Sequence, residues 1–519
     1  MIARWRAELA AFATLLLIYL ATLAPGVTLW DSGEFLSAIH SLGIPHPPGT
    51  PLYVLVANVW SRILSPLTGF AFSVNLLSAI CTAAACALLA NLINRSTGDR
   101  IAAYAGAVAA GAMASVWSSA TETEVYASAL FIGCVILWIA NREHDARGQW
   151  VLLGAYVSGL GFALHLTALL TIPAAIYLVV SRRGWGDLTR HLPLMIALFI
   201  LGASATAFMI VRAQHDPFVN QGNPSTLSSF WDVILRKQYA PAPLWPRQAP
   251  IFIQVGNLFE YADWQVALGL APDPPPTVFR TTLSVLFGAL GVFGFVFHRR
   301  MDRRSWTAFL ILFLTATVGV LAYLNLKASP SFGGSFIPAN AKHEARERDY
   351  FFALAWICWG LWAGIGAVQL IRRLNDRIAY VGALAAFIPV AFNWSAVSRR
   401  IEPDASAARR EGLRALDATP AHGIVLVHAD NDVYPTWYLQ EVENKRRDGI
   451  VVVVPLLPAE WYRAELARRH ALISPDSIQK WRGTDWVVAS ICRNARLQNR
   501  QVVDAVLSPG NNFPSPCHP

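Results

Sequence analysis

A chain of 519 residues in which 55% are hydrophobic and only 14% charged is too apolar for an ordinary soluble enzyme. Its formal charge of +9 does not indicate nucleic acid, because the arginines fall in short clusters between apolar runs, as in "SRRGWGDLTR", "HRRMDRR" and "IRRLNDR". The composition leaves an α-helical polytopic membrane protein whose basic clusters act as topology signals.

The first apolar run, "LAAFATLLLIYLATL", is similar to a signal peptide, but no small-residue cleavage site follows it and further apolar segments do. It is expected to be a retained helix. Runs of about 20 apolar residues predict spans near 8–24, 71–93, 101–118, 124–140, 150–164, 167–180, 191–211, 281–297, 306–325, 350–371 and 377–396. Splitting 150–180 into two helices leaves sixteen arginines on one side, among them Arg4, Arg147 and Arg377. The opposite short loops then carry only Arg62, Lys327, Lys342, Arg346 and Arg348. A single helix would put "HRRMDRR" outside, so the positive-inside bias favours two crossings. With a cytoplasmic N-terminus, residues 25–70, 118–124, 212–280, 326–349 and the tail from 397 share the outer face.

"WDSGEF" follows the first run directly. Asp31 and Glu34 stand three residues apart, on one face of a helix at the membrane boundary. Partial desolvation there suits a carboxylate to general-base work on a hydroxyl, while "DSGE" also reads as a capping box. In "HPPGTP" three prolines stop the helix and Gly49 permits a turn, so the stretch is either a rim that holds His46 toward a phosphate or acceptor, or a plain breaker. "LYVLVANVWSRIL" is too short and amphipathic to span and is expected to lie along the outer surface.

Further along, "ATETEVY" places Glu122 and Glu124 at the outer mouth, for a metal, a substrate hydroxyl or water. His165 closes the fifth span, as substrate ligand or as an ordinary interface histidine. In "KHEARERDYFF", Lys342, Arg346 and Arg348 stand outside the tenth span against the positive-inside trend, which suggests an anionic partner such as phosphate. Cys81, Cys86, Cys134 and Cys358 lie in apolar segments as small hydrophobes, whereas Cys492 and Cys517 lie in the polar tail and could pair in an oxidising compartment. The tail alternates strand-like "GIVLVHA", "GIVVVVPLL" and "DWVVASI" with helix-like stretches, as a small α/β domain does. Its "HADNDVYPTW" puts Asp430 and Asp432 after a strand, as binding-loop residues or as helix caps.

Taken in order, "DSGEFLSAIHSLGIPHPPGTPLY", "TETEVYA", "ERDYFF" and "HADNDVYPTWYLQEVENKR" resemble a bacterial family of multispanning proteins. That family is related to the eukaryotic transmembrane O-mannosyltransferase that modifies immunoglobulin-like domains of plexin receptors. It is similar to GT-C glycosyltransferases, which take a sugar from a polyprenyl-phosphate donor on the outer face and use a first-loop carboxylate as catalytic base. The resemblance implies that Asp31 is the base, with Glu34 as its neighbour or substitute.

The expectation is therefore a GT-C-like catalytic membrane domain over 1–396, with first outer loop 25–70, followed by a periplasmic α/β domain over 397–519. Its activity would be inverting transfer of a hexose such as mannose from a polyprenyl-phosphate-sugar to a hydroxyl of a periplasmic protein or glycan, in a bacterial inner membrane. Arg346, Arg348 and Lys342 would bind the donor phosphate, and His46, Glu122, Glu124, His165, Asp430 and Asp432 the substrates. No metal ligand is assigned, and the use of a divalent metal is left open. A transporter or flippase of a lipid-linked or anionic solute is the rival reading; its usual marks, charge in mid-span and inverted repeats, are not evident. A membrane sensor would not need the carboxylate and arginine clusters.

Overall fold

The computed structural model describes residues 6–142, 148–240, 242–272, 275–332, 341–505 and 515–517. Two of the arginines used to set the topology, Arg4 and Arg147, lie outside the described residues. Lipid offers the backbone no hydrogen-bond partners, so apolar runs of this length fold as helices. All eleven predicted runs are helical, in Arg6–Thr22, Phe70–Thr97, the pair Arg100–Gly111 and Ala114–Ala120, Val125–Ala140, Gln149–Leu164, the two halves of Leu166–Ala213, Val278–Met301, Arg303–Leu324, Asp349–Leu374 and Asp376–Val397. Among the described residues six helices are long and apolar enough to cross a membrane, or seven if the pair bent by 74° is one span. The protein is a multipass membrane protein.

The stretch 150–180 holds two helices, as expected. His165 adopts an extended backbone (φ −167°, ψ 141°) and parts Gln149–Leu164 from the segment that starts at Leu166. Gly184, at φ 76°, breaks that segment in turn.

The chain forms two compact units. The first comprises Met1–Leu23, Asn75–Ala205 and Pro241–Ser398 and contains most of the apolar helices. Small residues let them approach closely. A Cβ on Gly294 would overlap the Trp362 carbonyl, and one on Gly366 the Leu290 carbonyl, so Val278–Met301 and Asp349–Leu374 pack backbone to backbone.

The second unit comprises Ala24–Val74, Thr206–Ala240 and Arg399–Pro519. The first outer loop and part of the long loop thus belong to the same unit as the tail. After the first apolar helix the chain turns into α1 (Ser32–Ser41) and then α2 (Pro51–Thr68). On α2, Tyr53, Val54, Ala57, Asn58 and Ser61 are buried, while Val56, Val59, Ile63 and Leu67 form an exposed apolar face.

The tail builds a parallel sheet, β1 (Ile424–Val427), β2 (Ile450–Val453) and β3 (Val502–Asp504), in the order β2-β1-β3. Ile424 pairs with Ile450 on one side and with Val502 on the other. After β1, α3 (Asp430–Glu441) runs back along the sheet. The first two predicted strands are β1 and β2. "DWVVASI" is instead part of the helix Thr484–Leu497, because Val487, Ile491 and Ala495 recur every four residues and bury one face against the sheet. The run of β-branched residues masks that period. Cys492 and Cys517 are joined in a disulfide with a Cα–Cα separation of 5.5 Å.

Candidate active site

Asp31 occupies the N-cap position of α1, and its side chain makes no capping hydrogen bond. Glu34, fully buried on the first turn, does not reach back to the cap either. Its Oε1 accepts a hydrogen bond from the His46 main-chain N–H at 2.7 Å, and its Oε2 lies 2.5 Å from His46 Nδ1. Gln221 Nε2 also donates to Oε1. The capping-box reading is thereby replaced by a buried carboxylate with both oxygens engaged. A buried charge of this kind persists only when it is paired and hydrogen-bonded.

The prolines account for His46. "HPPGTP" makes a tight turn in which the Gly49 N–H donates to the His46 carbonyl at 2.9 Å, with Gly49 at φ 87°. A Cβ at Gly49 would strike Met209 Sδ. The turn holds the imidazole on Glu34 and leaves the His46 side chain 26% exposed. Gln221 is placed by a short parallel bridge: the Ile44 N–H donates to the Val219 carbonyl at 2.7 Å, and the Gln221 N–H to the Ile44 carbonyl at 2.9 Å.

α3 closes the other flank of α1. The Trp30 N–H donates to Asn431 Oδ1 at 2.6 Å, His40 Nδ1 lies 3.0 Å from Glu441 Oε1, and a Cβ on Gly33 would overlap the Tyr434 carbonyl. Tyr434 is raised well above the usual tyrosine range, first by burial and then by the charges of Glu34, Asp430 and Asp31. Tyr239 is 51% exposed as a residue, yet its hydroxyl end is desolvated, and that hydroxyl is raised by burial and then by Glu34, Asp31 and Asp430. Both phenols stay protonated, as hydrogen-bond donors facing three carboxylates. Asp430 belongs to this cluster. Asp432 does not: it is buried on α3, and desolvation raises it on the side of Arg414 and Glu411. Gln221 and Tyr239 carry no sequence signal that would have singled them out, whereas Asn431 and Tyr434 lie within the "HADNDVYPTW" string.

The remaining predicted residues lie in the first unit. Arg346 Nε and Arg348 Nη1 both donate to the Tyr350 hydroxyl, at 3.0 and 2.8 Å, and the Arg346 guanidinium sits 4.7 Å over the Tyr350 ring. Arg348 also pairs with Glu344 at 3.4 Å. Tyr126, two residues beyond Glu124, packs against Tyr350 at 4.9 Å and against His165 at 5.1 Å between ring centroids. The "TETEVY" turn, His165 and the arginine pair are thus brought together through Tyr126, while Lys342 stands exposed.

Beside them is a group that sequence reading passed over. Ser329 and Ser331 donate to Glu260 Oε2 at 3.2 and 3.1 Å, and Glu347 accepts from the Ser331 N–H and the Tyr261 hydroxyl, each at 3.1 Å. Burial pushes Glu260 up to about 7 and raises Glu347. Among the described residues no group of three or more His, Cys, Asp or Glu side chains is placed to hold a metal ion.

Comparison with known proteins adds kinship. Residues 31–187 match the family model for the N-terminal domain of protein O-mannosyl-transferase TMEM260, and residues 408–486 match TMEM260-associated domain 2. The chain is 25% identical to protein O-mannosyl-transferase TMEM260 of Mus musculus over 89% of its own length and 64% of that relative's. It is 24% identical to the Dictyostelium discoideum protein of the same name over 55% of this chain and 39% of the relative. The chain thus spans less than two thirds of either relative. Apo ArnT of Cupriavidus metallidurans shares its fold at a TM-score of 0.51, with 12% identity over 91% of this chain and 96% of ArnT. Two TMEM260 domain models matched in chain order and an alignment through most of the chain make this protein similar to the TMEM260 O-mannosyl-transferases, with a fold like that of apo ArnT.

Proposed function

We propose that the protein is an inverting glycosyltransferase that moves a hexose from a polyprenyl-phosphate-sugar to a hydroxyl on a protein acceptor. Mannose is the sugar that the names of the mouse and Dictyostelium relatives suggest. The single observation that carries the reading is the division of labour between Asp31 and Glu34. Both Glu34 oxygens are engaged by His46 and Gln221, which assigns Glu34 to orienting, and Asp31, the first-loop carboxylate to which the family resemblance points, is assigned to the acceptor.

In the proposed step Asp31 takes the acceptor hydroxyl proton as its oxygen bonds to the anomeric carbon, and the bond from that carbon to the phosphate oxygen breaks on the opposite face. The lipid phosphate leaves with the electron pair. Arg346 and Arg348, held on Tyr350, are assigned to that developing charge by their chemistry. No metal is required by this step. Asp430, Tyr239 and Tyr434 would hold acceptor groups, with the two phenols as donors. A bacterial inner membrane with the site and the tail on the periplasmic side fits the arginine bias and the Cys492–Cys517 disulfide.

The test is transfer by the purified chain from a synthetic polyprenyl-phosphate mannose to an acceptor peptide, with the product's anomeric configuration read by NMR. Inversion is expected. Retention of configuration, or no transfer from any lipid-phosphate hexose, would refute the reading.

A further inference from the structure

Within the second unit, α3 touches the α1 region at three points that run in step. The Trp30 N–H donates to Asn431 Oδ1 at 2.6 Å, Gly33 leaves no room for a Cβ against the Tyr434 carbonyl, and His40 Nδ1 lies 3.0 Å from Glu441 Oε1. Each α3 residue stands 401 positions beyond its partner. Positions 33 and 40 share a face of α1, and positions 431, 434 and 441 share a face of α3. The two helices therefore lie side by side and parallel, in one register.

Two of these contacts bracket Asp31. Trp30, the residue before it, has a left-handed backbone with φ 63°, a conformation that an aromatic residue keeps only where its surroundings impose it. The bond to Asn431 holds the peptide on the N-terminal side of Trp30, and the close approach of Gly33 to Tyr434 holds the first turn of α1 on the other side of Asp31. The direction of the Asp31 Cα–Cβ bond follows from that backbone.

Trp30 is 40% exposed, so water can satisfy its N–H where Asn431 does not. Water cannot hold the backbone at a positive φ. Loss of the Asn431 oxygen should thus disturb the aim of Asp31 more than it disturbs the fold. Asparagine suits the place, because its amide offers an acceptor oxygen and brings no further charge next to Asp430.

We infer that Asn431 is a positioning residue for glycosyl transfer: it holds Trp30 in the left-handed conformation that aims Asp31 at the acceptor hydroxyl. The inference rests on the reading of Asp31 as the base and deepens it. It gives the "HADNDVYPTW" string of the tail a part in the chemical step.

The experiment is a set of kinetic cycles on the full chain, with the synthetic polyprenyl-phosphate mannose and an acceptor peptide, and with unfolding midpoints read alongside. Asn431→Ala should lower kcat by about 10–10²-fold, the effect of a misplaced catalytic group, and leave KM for both substrates unchanged. In an Asp31→Asn background it should have no further effect on the residual turnover, because both substitutions act on one group. In a Trp30→Gly background it should cost clearly less, because glycine takes a positive φ without strain. Glu441→Ala cuts the contact at the far end of α1 and should leave kcat unchanged. Normal kcat in Asn431→Ala beside a slow Asp31→Asn would overturn this inference alone, whereas rapid turnover by Asp31→Asn would overturn the parent reading with it. An effect of Asn431→Ala confined to the acceptor KM, a loss of its folding, an equal loss of kcat in Glu441→Ala, or an undiminished loss in either background would each overturn the positioning role.

Discussion

Glu34 and His46 meet twice: the carboxylate accepts the histidine's main-chain N–H at 2.7 Å and lies 2.5 Å from its Nδ1 through the other oxygen. One residue comes from the first turn of α1 and the other from the proline-rich turn that follows it. Together they fix the start of α1, and with it the place of Asp31. The pair should behave as a unit. Glu34→Gln, His46→Ala and the double variant should be non-additive in chemical or thermal unfolding, with a coupling of about 0.5–3 kcal/mol. Simple additivity would mean that the contact is incidental.

Gly33 tests the docking of α1 on α3. Gly33→Ala pushes a methyl group into the Tyr434 carbonyl and should cost about 1–3 kcal/mol of stability, as overpacking does. At Gly26 nothing lies within 4 Å of an added Cβ, so Gly26→Ala serves as the control and should leave the unfolding midpoint nearly unchanged. Equal midpoints for the two variants would count against the close approach.

For the arginine pair the expected effect is on donor handling. Arg346→Ala or Arg348→Ala should weaken apparent donor affinity roughly tenfold or more, since a hydrogen bond to a charged group is worth about 1.5–3 kcal/mol. Tyr350→Phe, which keeps the ring under Arg346 but removes the shared hydroxyl, should have the same sign and a smaller size. Kinetics at varied donor and acceptor concentrations separate the effects. A change confined to the acceptor constant would exclude a phosphate role.

Glu260 sets a pH dependence. Burial raises it from 4.5 to about 7, so over that window the folded protein holds a proton that the unfolded chain has released. Its contribution to stability is complete below about 4.5 and is lost as pH rises toward 7. Glu465 in the tail, also pushed up to about 7, adds a slope of the same sign. Glu260→Gln should therefore flatten the fall in unfolding midpoint between pH 4.5 and 7 without abolishing it. A slope as steep as that of the unsubstituted protein would contradict the assignment.

What the sequence discloses and what it withholds have physical causes. The helical runs are legible because lipid imposes one backbone solution on any long apolar stretch. Asp31, Glu34 and His46 are legible as residue types, and the family resemblance points to Asp31. The Glu34–His46 pairing itself is not, because it depends on how the proline turn folds back. Gln221 reaches Glu34 from 187 residues away through a two-bond bridge at Ile44, a long-range contact without a local pattern. "DWVVASI" misleads because four-residue burial continues beyond the string that looks like a strand. Asp430 and Asp432, alike in sequence, part ways because positions two apart at the start of α3 point to different sides of the helix and meet different neighbours.

The central claim, that Asp31 is the base of a lipid-phosphate-dependent glycosyl transfer, is tested most directly by the turnover of purified Asp31→Asn with a synthetic polyprenyl-phosphate mannose and an acceptor peptide. The substitution keeps the shape of the side chain and removes no capping hydrogen bond from α1, and the unfolding midpoint is measured alongside turnover. Loss of a general base is expected to lower the rate by about 10²–10⁴-fold. Turnover of Asp31→Asn within a few-fold of the unsubstituted protein, at an unchanged midpoint, would contradict the account.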